Sequence, residues 1–295
     1  MKAKPSGQFN YEQKKFLGEI DPAVMADTAR KVQAAKAKFH RRKLDDLNGQ
    51  IALWERQAKI LGRDGDRDRK LLENEYQSFR KIADKPIAVP SGFDHYIPGK
   101  NPLFYPPNFF NIGSGETSGG ATSYSTWTEV GGRRLPYCEP NSGKMGVKIG
   151  AFNPGGNSYF TTGLANVFYS QSFQNLPLSA SFIVYGRGTS FGIGLGYSRG
   201  WLRLGIEAWV SGPSRPSPVH FYFVNDFWSS VPSPWVTEMR NVGYETFSTP
   251  LLTIPVLPGD IVMAAAVIEQ GAVAGGLFSL AKSEFLVEVS PMRIG

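Results

Sequence analysis

The spacing of apolar residues changes once along this chain, from alternating threes and fours to twos, and the change divides it into two kinds of element. In the first part Leu44, Leu47, Ile51, Trp54, Ala58 and Leu61 recur at alternating spacings of three and four, the seam by which one helix packs against another. Asp21 and Pro22 mark the helix start, because an aspartate side chain caps free amides and proline is tolerated at the first helical position. Gly62 is a suitable stop, since glycine accepts the left-handed conformation that ends many helices. Asn48 and Gly49 are the expected kink. Beyond the polar stretch 63–67, Leu72, Tyr76, Phe79 and Ala83 outline a second helix, which Pro86 ends. Two helices with one apolar stripe each require a partner, either each other in a hairpin or another subunit in a coiled coil.

From Lys144 onward the period is two. Leu202, Leu204, Ile206, Ala208 and Val210 fall on one face of a strand, and Trp201, Arg203, Gly205, Glu207 and Trp209 on the other. Comparable runs occur at 179–186, 219–224, 260–268 and 284–289, separated by Pro, Gly, Ser and Asn turns with no amphipathic helix between them. This predicts a mainly β fold, an antiparallel β-sandwich or jelly roll over 144–295, preceded by an α-helical segment over 1–85. Residues 86–143 join the two and read as an extended, largely irregular connector rich in Pro, Gly and aromatics. Phe104, Tyr105, Phe109 and Phe110 imply that it packs along a surface, either the chain's own sandwich or another subunit.

Charge sharpens this division. Residues 1–85 hold 20 Lys and Arg against 13 Asp and Glu, whereas 86–295 hold 12 against 12. The excess suits an acidic protein or nucleic acid, although a solvated helical face explains interspersed charges equally simply. Cys138 is the one cysteine, so no disulfide framework is expected. The polar start and the short apolar run at 261–268 predict neither a signal peptide nor a membrane span, hence synthesis in a cytoplasm.

Candidate chemistry narrows quickly. His40, His95, His220 and Cys138 are too scattered for a zinc site. Asp64, Asp66, Asp68 and Glu75 have the spacing of a calcium loop, but Arg69 stands where that loop needs glycine, so a charged turn is the simpler reading. Neither a metal nor another cofactor is expected. Gly188-Thr189-Ser190-Phe191-Gly192 fits the serine-nucleophile pattern without the helix that the pattern requires. The most suggestive constellation is the polar and aromatic face carrying Trp201, Arg203, Glu207 and Trp209, which His220, Tyr222 and Asp226 join if the next strand aligns. Flat aromatic rings beside charged hydrogen-bonding groups suit a sugar or an extended peptide, and equally a subunit-covered sheet.

Four segments in order, FGIGLG at 191–196, LRLGIEAWV at 202–210, HFYFVNDFW at 220–228 and LPGDIVMAAAV at 257–267, resemble the successive motifs of the glutamic peptidases (eqolisins). The resemblance covers about a third of the chain and implies a curved sandwich with a concave face. It places the family's catalytic glutamine at Arg203 and its glutamate at Asn225 or Asp226, a replacement that removes the water-positioning amide. The expectation is therefore a non-enzymatic structural or attachment protein of a larger assembly, a phage or virus particle component. It would be homo-oligomeric through the helical seam, with other structural proteins as partners and a glycan as a candidate ligand of the sandwich head. The alternatives are a lectin-like module and a diverged peptidase or glycan hydrolase, for which Glu207 with Asp226 is the carboxylate pair on offer.

Overall fold

The computed structural model describes residues 22–61, 103–104, 110–111, 114–124, 137–139, 143–170, 173–192, 196–230, 237–275 and 279–294. Among the described residues one helix, α1 (Pro22–Leu61), precedes twelve strands. Four are short or early: β1 (Leu103–Phe104), β2 (Phe110–Asn111), β3 (Ser114–Tyr124) and β4 (Tyr137–Glu139). The others are β5 (Lys144–Tyr169), β6 (Gln174–Gly192), β7 (Tyr197–Ser211), β8 (Val219–Ser229), β9 (Thr237–Ser248), β10 (Leu252–Val256), β11 (Ile261–Gly275) and β12 (Ser279–Ile294). The protein is mainly β, and every pairing among the described residues is antiparallel.

The strands run in the order β10-β6-β12-β5-β11-β7-β8, with β9 beside β6. Strand β5 joins the two halves: Lys144–Phe152 pairs with β12, and Gly155–Tyr169 with β11. The sheet thus folds over on itself, and the alternating apolar positions of the halves meet in one core. Leu202, Leu204, Ile206, Ala208 and Val210 of β7 and Val262, Ala264, Ala266 and Ile268 of β11 share this core with Phe182 and Val184 of β6 and Phe285, Val287 and Val289 of β12. All are essentially inaccessible to water. At about 25 cal/mol per Å² of apolar area, such burial is the main force holding the two layers together.

The outer faces are covered as well. On β12, Lys282, Glu284 and Glu288 alternate with the core residues yet are buried, and Glu284 is flanked across the sheet by Lys148 and Arg187. Arg187 donates to Glu284 at 3.0 Å, so this outer row is neutralised in place. A turn between β10 and β11 is fixed by Asp260, whose carboxylate accepts from the Leu257 amide at 2.7 Å and from Arg215 at 2.8 and 3.0 Å.

Two expectations need revision. Within 86–143 the described residues form four strands, and the stretch around Gly115–Ser123, expected to be irregular, is β3, paired along β5. Backbone pairing on the edge of β5 does not depend on side-chain alternation, so a Gly- and Ser-rich strand leaves no period to read. Helix α1 runs through Asn48 and Gly49 without a break; Gly49 costs about 1 kcal/mol relative to alanine, too little to stop a helix held by packing. Of the proposed seam, Leu47 packs on the chain's own sandwich, against Tyr159, Trp201 and Val273. The side chains of Leu44, Ile51, Trp54, Ala58 and Leu61, and the second helix expected before Pro86, lie outside the described residues.

Candidate functional site

The strand register brings the sequence-predicted residues together. On β7 and β8, Trp209 lies opposite His220, Glu207 opposite Tyr222 and Arg203 opposite Asp226 in one unbroken register, and a bulge just beyond, between Leu202 and Arg203, turns Trp228 to the core side. Trp209 and His220 stack at 3.8 Å between ring centroids, nearly parallel. Arg203 donates to Asp226 at 2.6 Å, so the two positions singled out by the peptidase resemblance are ion-paired neighbours.

The face is not the open concave surface expected. Helix α1 lies across it. Ala35 packs against the cluster of Trp209, Met263, Ala265 and Val267. Phe39 meets His220 and Tyr222 edge-on at 5.8 and 5.6 Å, and Leu47 reaches Trp201. These positions recur every four residues or so, one helical face. Asn48 adds a hydrogen bond accepted from Asn157 on β5. The indole of Trp201 fits because Gly271, directly opposite on β11, has no side chain; a Cβ there would stand 1.8 Å from the ring.

Under the helix lie two buried carboxylates. Glu207 accepts from the Trp209 indole and lies 3.8 Å from His220 Nε2. Glu269, on β11 opposite Arg203, accepts from Tyr159 at 2.9 Å and from Tyr222, and lies 3.7 Å from Arg203 Nη1. Burial pushes the Tyr159 hydroxyl well above the usual tyrosine range, and the Glu269 charge pushes the same way. Burial and then Glu269 do the same to Tyr222. For Arg203, burial pulls downward, but the hydrogen bond and charge of Asp226, reinforced by Glu269, hold the guanidinium above its ordinary value. Both tyrosines therefore stay donors and Arg203 stays a cation.

Two adjoining clefts open where α1 leaves the sheet. One, of about 150 Å³, is lined by Lys43, Asp46, Leu47, Gln50, Tyr159, Arg199, Trp201 and Arg203. The other, of about 290 Å³, is lined by Lys43, Tyr222, Asn225, Asp226 and Glu269 together with Arg203 and Val224. Of the predicted residues, Trp201, Arg203, Tyr222 and Asp226 line these clefts, whereas Glu207, Trp209 and His220 line neither. Glu207 and Asp226 thus share neither of these two clefts. Sequence reasoning missed Glu269, Tyr159 and the helix residues Lys43, Asp46 and Gln50. Glu269 carried a signal, a carboxylate ending the apolar run of 261–268; the others carried none. Among the described residues no group of three or more His, Cys, Asp or Glu side chains is placed to hold a metal ion, and no helix is long and apolar enough to cross a membrane.

The protein described by this geometry is a two-layered antiparallel β fold with a helix strapped over one face. No family model and no curated protein matches the chain. Among solved structures it is similar to the carbohydrate-binding module TmCBM61, solved with β-1,4-galactotriose, at 8% identity over 64% of this chain and 88% of that one, with a TM-score of 0.22. It is also similar to the enzymatically active domain of tailspike protein 4 from bacteriophage CBA120, at 10% identity over 62% of this chain and 19% of that one, with a TM-score of 0.14. At these scores neither likeness defines a shared fold.

Proposed function

We propose that this chain is a non-enzymatic structural or attachment protein of a larger assembly, a component of a phage or virus particle. In this reading α1 is the contact element, the sandwich is the head, and homo-oligomers form through the helix. The supporting observation is the apolar surface that α1 retains after docking. Its named contacts with the sandwich run from Ala35 to Gln50, and beyond them Leu53 and Ile60, two turns apart, are 59% and 83% exposed. Exposed apolar side chains at heptad spacing on a helix fit another helix as partner. The test is the absolute mass of the full-length protein by light scattering on a sizing column. A stable oligomer that dissociates in the Leu53→Glu/Ile60→Glu double variant, with circular dichroism unchanged, is expected; a wild-type monomer at micromolar concentration refutes the reading.

A glycan-binding role for the head is favoured by the clefts beside α1, where Trp201 and Tyr222 stand among Arg203, Asp226 and Asn225. Aromatic walls with planar polar groups between them are the chemistry by which proteins hold sugar rings.

A further inference from the structure

Taking that glycan-binding reading as its basis, we infer that the ligand is a neutral saccharide and that its site is the seam between α1 and the sheet, completed by the helix. Two unmet hydrogen-bonding groups point to it. Glu269 is 1% exposed; its Oε1 takes both tyrosine hydroxyls, while its Oε2 has no hydrogen-bond partner, with Arg203 Nη1 too far at 3.7 Å. Trp201 is 4% exposed, and its indole N–H likewise has no partner. A buried polar atom left without a hydrogen bond costs about 1–3 kcal/mol, a cost that a hydrogen-bonding ligand would remove. One needs a donor and the other an acceptor. The two residues line adjoining clefts that share Lys43 and Arg203. Hydroxyl groups supply both functions from one ligand.

Charge selects the class. Lys43, Arg199 and Arg203 face Asp46, Asp226 and Glu269 across the two clefts, three cations against three carboxylates. An anion or a cation would meet as much repulsion as attraction, whereas a neutral polyhydroxylated ring finds donors and acceptors in alternation. The clefts together reach the size of a small-ligand site. Lys43, Asp46 and Gln50 come from α1, and the remaining polar walls from β5, β7, β8 and β11. A ligand spanning both sides binds only the docked helix, and so stabilises docking by its differential affinity.

The full-length protein is screened on an array of immobilised neutral and acidic oligosaccharides, and the best neutral binder is then titrated calorimetrically. The variants are Asp46→Ala, Gln50→Ala and Asp226→Ala, all at exposed positions, so folding is preserved. Neutral glycans are expected on the array, each variant weakening binding by roughly tenfold, the equivalent of one hydrogen bond. Bound saccharide should also slow amide exchange along 35–50 of α1. If neutral glycans bind but no variant weakens them, the seam assignment is wrong while the glycan reading stands. If only acidic glycans bind, the ligand class is wrong. If none bind, both the inference and the glycan reading fall.

Discussion

At the residue scale, Asp260 and Arg215 are the clearest test of how a turn is held. Asp260 is wholly buried, and Arg215 is largely so. Removing the cation leaves a charge with no exposed surface, so Arg215→Met is expected to lower unfolding free energy by about 3–5 kcal/mol in urea denaturation. Asp260→Asn keeps an acceptor for the Leu257 amide and should cost less. The buried tyrosines make a prediction of different sign. Tyr159 and Tyr222 have folded-state values raised above the unfolded one by burial and Glu269. Their contribution is therefore fully present below the unfolded tyrosine value of about 10 and is lost as pH climbs through the raised values. Alkaline titration followed by ultraviolet absorbance should show Tyr159 and Tyr222 ionising only as the protein unfolds, and Glu269→Gln should bring them down.

At the scale of elements, α1 is defined by what it covers. Phe39→Ala removes the ring that meets His220 and Tyr222 and should weaken docking by about 1–3 kcal/mol. Hydrogen exchange should then quicken along 35–50 while the core strands keep their protection. The strand face beneath shows what the sequence carried. Strict alternation made β7 readable, and the even spacing of His220, Tyr222 and Asp226 predicted their alignment with it. The cover was not readable, because Trp201, Glu207 and Trp209 would look the same on a face turned to solvent. Ala35, Phe39 and Lys43 hid within a helix whose stronger pattern, the seam through Leu47, Ile51 and Trp54, points to a different partner. Strand β3 was invisible for the opposite reason, having backbone pairing and almost no side-chain pattern.

For the molecule as a whole, the sandwich was legible because each core strand obeys its own period and all of them bury the same kind of residue. The meeting of helix and sheet was not, since it depends on side chains distant in sequence, such as Gln50 and Tyr159, converging on one cleft. The same separation governs how the fold can be reached. Strand β5 waits for partners from the far end of the chain: Tyr169 for Ile261, and Lys144 for Glu288. Closing loops of this length before any pairing compensates is slow. On a ribosome, β5 would emerge with β3 available to one edge, while the edge that β11 and β12 take would stay bare until those strands follow. Cotranslational chaperone binding and inclusion-body formation in overexpression follow naturally from that interval, and a host that slows translation or supplies holdases should raise the soluble yield.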